Sequence, residues 1–206
     1  MDKNRQIRIF DRQAAQYEHK KEPPAMRQWR AKLLREATGD VLELAVGAGA
    51  NFPYYPPGVR VTAADFSAEM LKRAEQAAAR SGTDVRLIRS DIERMTFPDG
   101  SFDTIVSTLS FCSYDDPLAL LRKLQSWLRP GGKVLMMEHG ISSNPLLALA
   151  QRALDPLLYR WIGCHYNVRL AELLDQAGLR VLAAERHWLG MIYLVRAQPP
   201  DPGAFR

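Results

Sequence analysis

Short apolar runs alternate with amphipathic segments along most of the chain. The apolar runs predict five β-strands, at residues 41–46, 59–64, 85–88, 102–109 and 133–138. Between several of them, apolar residues recur every three or four positions, which predicts helices that begin after Ser67 and after Asp116. This alternation is typical of a parallel sheet that is covered by helices on both faces.

The pattern changes after the fifth predicted strand. Residues 145–159 and 168–176 predict two helices, and residues 179–186 and 191–195 predict two strands that follow each other closely. Two parallel strands need a crossover of about a dozen residues or more. The last two strands must therefore be antiparallel to each other.

Length and composition indicate one ordinary domain. The chain has 206 residues, of which 47% are hydrophobic and 25% charged, enough for a buried core without disulfides. Cys112 and Cys164 lack the paired spacing of a disulfide framework or a zinc site, so we expect no metal. No apolar leader or membrane-length apolar run is visible, and we expect a cytoplasmic protein.

The positive charge is spread rather than concentrated. The formal net charge is +5, and only residues 3–35 are clearly enriched in cations. A solvated basic helix is the favoured interpretation, and we expect no nucleic-acid partner. An open alternative is that residues 7–29, which also carry apolar side chains, touch an anionic membrane surface.

The candidate chemistry lies where predicted strands end. The first strand runs into a turn that contains Gly47 and Gly49, where main-chain N–H groups can approach a nucleotide. Asp65 follows the second strand, where such sheets place an acid that accepts ribose hydroxyls, and Asp91 follows the third. Because the carboxyl ends of parallel strands form one crevice, we expect Glu43, Asp65 and Asp91 to converge there.

With these motifs, the whole sequence resembles the class I S-adenosylmethionine-dependent methyltransferases, and within them the ubiquinone/menaquinone-biosynthesis-like group. Residues 43–49 match the group's acidic, glycine-rich motif, and residues 97–103 and 128–132 match its approaches to the fourth and fifth strands. A finer similarity to small thiol S-methyltransferase-like proteins is carried by residues 49–52 and 108–113, among other short pieces.

The resemblance implies a Rossmann-like, doubly wound α/β fold with seven strands, six parallel and one antiparallel, in the order 3-2-1-4-5-7-6. Residues 1–36 would form N-terminal lid helices over a single domain at 37–206, with an acceptor-site insertion at about 142–167. The cofactor would be S-adenosylmethionine, released as S-adenosylhomocysteine. The residues implied to contact it are Tyr17, Glu43, Ala45, Gly47, Gly49, Asp65, Phe66, Ser90, Asp91, Ile92 and Leu109.

One position departs from the family pattern. Ala45 stands where the motif has its first glycine, so that a methyl group occupies a point of close backbone approach. Alanine is the mildest replacement, and we expect cofactor binding to persist in weakened form.

The acceptor side is predicted from the later strand ends. His139 follows the fifth strand and is the candidate general base, with a hydrogen bond to a loop carbonyl or to Glu138 as the alternative role. The candidate acceptor-binding residues are Cys112, His139, Tyr159, Cys164 and His165. Structural packing is the alternative for each cysteine and for His165.

The function expected from this sequence is methyl transfer to a small, largely apolar acceptor: a thiol, phenol, quinone or amine. The alternatives are a phospholipid headgroup N-methyltransferase at a membrane surface and a non-catalytic S-adenosylmethionine-binding protein. A nicotinamide-dependent oxidoreductase is disfavoured, because Phe52 stands where the dinucleotide motif has its third glycine. We expect a monomer or weak dimer.

Overall fold

Seven strands form one sheet in the computed structural model, which describes residues 1–19 and 22–200. Their order is β3-β2-β1-β4-β5-β7-β6, and only β7 runs antiparallel to its neighbours. The predicted fold class and strand order are confirmed. The strands are β1 (Asp40–Leu44), β2 (Arg60–Asp65), β3 (Val85–Arg89), β4 (Phe102–Thr108), β5 (Leu128–His139), β6 (Arg180–His187) and β7 (Ile192–Gln198).

Helices flank this sheet within the described residues. The predicted N-cap of the third helix is confirmed, because the Ser67 side chain accepts a hydrogen bond from the Met70 N–H. The helices are α1 (Lys3–His19), α2 (Pro24–Leu34), α3 (Ala68–Ser81), α4 (Pro117–Trp127), α5 (Pro145–Ile162) and α6 (Leu170–Gln176). Residues 20–21 of the predicted lid and 201–206 of the predicted domain lie outside the described residues.

The core has two layers because neighbouring strand residues point to opposite faces of the sheet. In β4, Ile105 joins a buried cluster that also contains Leu121 and Leu124 of α4. The next residue, Val106, joins the cluster on the other face, with Leu34 of α2 and others. Both faces of the central strands are therefore buried, as expected for a parallel sheet.

Several predicted boundaries are wrong by a few residues, among them those of the fourth and fifth strands. The fifth strand begins at Leu128 rather than at residue 133, and its pairing with β4 shifts register between Phe102 and Thr104. Residues 130–132 thus lie within the strand and form an irregularity in its pairing with β4. The fourth strand ends at Thr108, so Cys112 lies in the following 3₁₀ turn, Phe111–Ser113.

Candidate active site

The glycine-rich turn leaves β1 with three residues in the left-handed region. Ala45 has φ of 47°, Gly47 of 55° and Gly49 of 80°. A Cβ at Gly49 would lie 2.7 Å from the Phe52 ring, whereas one at Gly47 would meet nothing within 4 Å. Gly49 is therefore required for packing, and the backbone at Gly47 is open to an approaching ligand.

Asp65 ends β2 and holds this turn in place. One of its carboxylate oxygens accepts from the Gly47 N–H at 2.9 Å and the other from the Ser67 N–H at 2.9 Å. The side chain is buried, and burial raises its pKa to about 6. The predicted ribose acid thus lies beside the open turn, as the sequence indicated, with both of its oxygens oriented.

Glu43 is buried beneath the turn. It accepts from the Asn51 amide at 2.8 Å and from the Tyr55 hydroxyl at 2.8 Å, and burial raises its pKa to about 7. Its observed role is to brace the turn from inside. The prediction that it also contacts a cofactor stays a prediction.

Arg30 of α2 completes this buried network. Its guanidinium donates to the Asn51 side-chain oxygen and to the Thr108 hydroxyl (3.1 Å), and it pairs with Glu22 at 2.6 Å. Arg30 therefore connects the end of β1 with the end of β4. Sequence reasoning missed it, because no local motif marks an arginine that reaches across two strand ends.

The end of β3 carries the predicted adenine acid. Asp91 caps the next 3₁₀ turn by accepting from the Glu93 N–H at 3.2 Å, and Lys3 lies 3.6 Å from its other oxygen. The N–H of Ser90 donates to the main-chain oxygen of Asp65 at 3.0 Å, and Ile92 is buried. The end of β3 thus lies beside the end of β2, and the prediction that Ser90, Asp91 and Ile92 contact a cofactor stays a prediction.

Helix α1 lies across the ends of β2 and β3 and reaches α5. Its Phe10 ring makes an edge-on contact with Phe66 at 5.5 Å between centroids, and Asp11 accepts from the Ser67 hydroxyl. At the other side, Gln6 donates to the main-chain oxygen of Ser113 at 2.7 Å. The helix thus packs against the residues that follow β2 and against the loop after β4, and its role as a lid stays a prediction.

Tyr17 stands near the end of α1. Although 46% of the residue is exposed, burial of its hydroxyl end raises its pKa to about 12. The nearby charges that add to this shift include Cys164, Cys112 and Asp65. Asp65 and the two cysteines therefore lie near this hydroxyl.

The loop after β4 is held by a buried carboxylate. Glu138 accepts from the Ser107 hydroxyl at 2.5 Å and from the N–H groups of Ser110 and Phe111 at 2.9 and 3.1 Å. Its burial raises its pKa to about 7. These bonds fix the loop that begins at Leu109, whose φ of 56° is unusual for leucine. Sequence reasoning considered Glu138 only as a partner of His139.

Two thiols meet beyond this loop. Cys112 is buried and Cys164 partly exposed, and their hydrogen bond is the main reason that the pKa of Cys112 is raised well above its usual value. The N–H of His165 donates to the main-chain oxygen of Cys112 at 2.7 Å. The structure therefore brings Cys112 next to Cys164 and His165, which lie far from it in the sequence.

His165 is oriented by a buried carboxylate. Its Nδ1 lies 2.8 Å from one oxygen of Asp155, whose other oxygen accepts from the Tyr166 N–H at 2.7 Å. The His165 ring also stacks on Tyr159, with centroids 3.9 Å apart. This arrangement leaves Nε2 as the nitrogen available to a ligand. Asp155 had no functional assignment from the sequence.

His139 is the other candidate base. It is the last residue of β5, and its ring centroid is 5.5 Å from that of Tyr166. The structure thus offers two candidate bases, and the ring of His165 is hydrogen-bonded to the carboxylate of Asp155. Residues 1–19 and 22–200 contain no group of three potential metal ligands.

Several known proteins are similar to this chain in sequence. A family model described as "Methyltransferase domain" matches residues 42–136. The chain is 33% identical over 147 residues to human "Thiol S-methyltransferase TMT1A", covering 69% of this chain and 60% of that protein. It is 35% identical over 118 residues to "Phosphatidylethanolamine N-methyltransferase" of Cereibacter sphaeroides, covering 56% of this chain and 58% of that protein.

A solved structure shares the fold. The crystal structure of a "SAM dependent methyltransferase from Aquifex aeolicus" superposes with a TM-score of 0.64 at 19% identity, covering 89% of this chain and 97% of the other. The chain spans little more than half the length of the curated relatives named above. The family model, these relatives and the shared fold together support the assignment of this chain to the class I S-adenosylmethionine-dependent methyltransferases.

Proposed function

We propose that this chain transfers the methyl group of S-adenosylmethionine to a small, largely apolar acceptor that loses a proton, such as a thiol or a phenol. The observation that carries the proposal is the open turn at Gly47 beside the oriented carboxylate of Asp65. The relatives support methyl transfer as the reaction class, with a thiol and a phospholipid amine as two of their acceptors.

The residues at the turn fit the proposed cofactor. Asp65 can accept hydrogen bonds from two ribose hydroxyls, because its carboxylate is already fixed by backbone N–H groups. Asp91 can accept from an adenine amino group, and Lys3 beside it balances its charge. When bound, the cofactor supplies an electrophilic methyl group on a sulfonium.

Positioning and exclusion of water are the main requirements of such a displacement. The residues of the chain would therefore have to hold the lone pair of the acceptor in line with the methyl group that the cofactor would supply. Helix α1 and Tyr17 cover the predicted crevice and would limit the access of water. Their role as a lid is part of the proposal.

His165 is the proposed base. It opens on a cleft of about 370 Å³ that Phe111, Tyr114 and Asp155 also line. The acceptor's proton would pass to Nε2, and Asp155 would stabilise the resulting imidazolium through Nδ1. We therefore favour His165 over His139, which the sequence alone had suggested.

The test is an assay for released S-adenosylhomocysteine with panels of small thiols, phenols, quinones and amines. For a thiol or phenol, we expect His165→Asn to lower kcat about 100-fold or more and Asp155→Asn to lower it less. The matched control is His187→Asn on β6, which should leave kcat unchanged, since His187 stacks on Trp29 at another edge of the sheet.

Other outcomes would change the proposal. If His139→Asn removes activity and His165→Asn does not, the base is His139. If calorimetry shows that S-adenosylmethionine binds and no acceptor releases product, the chain is a binding protein. If millimolar S-adenosylmethionine gives no heat, the proposal as a whole fails.

A further inference from the structure

Helix α5 has its polar side facing inward. Its buried residue is Asp155, and Gln151 donates from the same side to the main-chain oxygens of Gly140 and Tyr166 at 3.2 and 2.9 Å. A helix of a globular protein ordinarily turns its apolar stripe toward the core. In α5, by contrast, the hydrogen-bonding side chains of Gln151 and Asp155 point toward the core.

The outer side of α5 is correspondingly apolar. Large side chains are exposed along its whole length, with 78% of Leu146, 65% of Leu149, 57% of Leu157 and 75% of Trp161 accessible. These residues belong to the predicted acceptor-site insertion at about 142–167, but their side chains lie on the surface. A contiguous stripe of this kind marks an interaction surface.

The residues beside this stripe are cationic. Arg5, Arg8 and Arg12 recur every three or four positions on α1 and therefore share one side of that helix. Arg5 donates to the main-chain oxygen of Arg160 on α5 at 3.3 Å, which brings the two helices together. Between them lies a cleft of about 370 Å³, lined by Arg5, Ile9, Arg12, Leu157, Arg160 and Trp161.

The acids nearest to these arginines in the sequence are occupied elsewhere. Asp11 accepts from the Ser67 hydroxyl on the crevice side of α1, and Asp2 accepts from the N–H of Arg5 in the first turn. The cleft lining contains no acidic residue among the described residues. Exposed leucine and tryptophan side chains beside arginines are typical of surfaces that bind to anionic bilayers.

We propose that the outer side of α5, with the arginines of α1 and Arg160, docks on an anionic phospholipid surface. The charge favours this occupant over a second copy of the chain, because two such surfaces would place their arginines against each other. None of the described helices is long and apolar enough to cross a membrane, so the contact would be peripheral.

The docking would place the proposed acceptor site near the lipid. Tyr159 and Asp155 on the inner side of α5 contact His165, whereas the leucines of the same helix face outward. An apolar acceptor dissolved in the bilayer would then reach the site without crossing much water. This consequence rests on the proposed function, but the docking itself does not.

The test is co-sedimentation of the full chain with vesicles, without cofactor or acceptor. We expect binding to phosphatidylcholine vesicles that contain phosphatidylglycerol, and little to phosphatidylcholine alone. Leu149→Glu with Leu157→Glu should reduce the binding at least about tenfold, since both the apolar contact and the charge are lost. Arg12→Gln with Arg160→Gln should reduce it less and remove most of its salt dependence.

The matched control is Leu182→Glu on β6, an exposed leucine at another surface. It should bind vesicles as the unmodified chain does, and circular dichroism should show that all variants are folded. The proposal is overturned if the unmodified chain does not bind to anionic vesicles. It is also overturned if sedimentation shows a stable dimer that Leu149→Glu with Leu157→Glu dissociates. Neither result would affect the methyl-transfer assay with a water-soluble thiol.

Discussion

The two ends of the predicted active site are built in different ways. On the cofactor side, Asp65 binds the N–H groups of Gly47 and Ser67, which lie in the turns that follow β1 and β2. On the acceptor side, His165 meets Asp155 and Cys112 through contacts between the α5 region and the loop after β4. The first side is organised by backbone groups at adjacent strand ends, and the second by packing between separate segments.

This difference determines which substitutions each side tolerates. Backbone N–H groups are independent of residue type, so the cofactor side depends on a few special residues, among them Asp65 and the glycines. The acceptor side depends on side chains from three segments and can be varied by changing any of them. The relatives include a thiol methyltransferase and a phospholipid methyltransferase, which is consistent with acceptor sites that vary.

The largest expected effect comes from removing the central acid of the cofactor side. Asp65→Ala removes the acceptor of two N–H groups and the proposed partner of the ribose, so we expect at least about 100-fold weaker binding of S-adenosylmethionine by calorimetry. Asp65→Asn keeps one acceptor oxygen and should weaken binding less. The control is Asp99→Ala, an exposed acid in the turn before β4. Unchanged affinity in Asp65→Ala would remove this residue from the cofactor site.

The second prediction concerns the arginine that connects the turn after β1 with the end of β4. Arg30→Leu leaves Glu22 and the side-chain oxygen of Asn51 without their buried donor, and we expect the free energy of unfolding to fall by about 2–4 kcal/mol. Denaturant titration measures the loss. Arg27→Leu, at an exposed position of the same helix, should change the free energy by less than about 0.5 kcal/mol. Equal effects would show that Arg30 contributes no more than a surface residue.

The third prediction uses the buried acid of the acceptor side. Burial raises the pKa of Glu138 to about 7, so the folded chain binds a proton more tightly than the unfolded chain between about pH 4.5 and pH 7. Its contribution to the free energy of unfolding is therefore fully present below about pH 4.5 and declines as the pH rises through about 7.

Glu138→Gln should remove this part of the pH dependence, because glutamine does not ionise. We expect the stability difference between variant and wild type to change by about 1–3 kcal/mol from about pH 4.5 to pH 8, in favour of the variant. Denaturant titrations across this range measure it, with Glu75→Gln on the exposed side of α3 as the control. A constant difference would contradict the raised pKa.

The smallest expected effect concerns Ala45. A φ of 47° costs an alanine about 1 kcal/mol of folding free energy, and Ala45→Gly removes this strain. The greater flexibility of glycine in the unfolded chain offsets part of the gain. We expect stability within about 1 kcal/mol of wild type and an affinity for S-adenosylmethionine higher by about threefold. Ala79→Gly in α3, where φ is helical, should instead destabilise by about 1 kcal/mol. Weaker binding in Ala45→Gly would show that the methyl group contributes to the site.

Local patterns predicted the sheet and most of the cofactor side. Alternating apolar runs gave the strands because each central strand is buried on both faces, and Gly49 and Asp65 were found because a tight turn and a strand end need those residue types. Arg30, Glu138 and Asp155 escaped prediction because a buried polar side chain is recognised by its partners. Those partners, such as Thr108 for Arg30, lie elsewhere in the sequence.

The sequence by itself determined the order of strands and helices, the left-handed turn after β1 and the acids at the ends of β2 and β3. These features depend on interactions within a few residues or on a fixed sheet geometry. Only the tertiary structure decided that His165 pairs with Asp155 and that the leucines of α5 face outward. Helical periodicity gives the apolar side of a helix, but the direction that this side faces depends on what the rest of the chain packs against it.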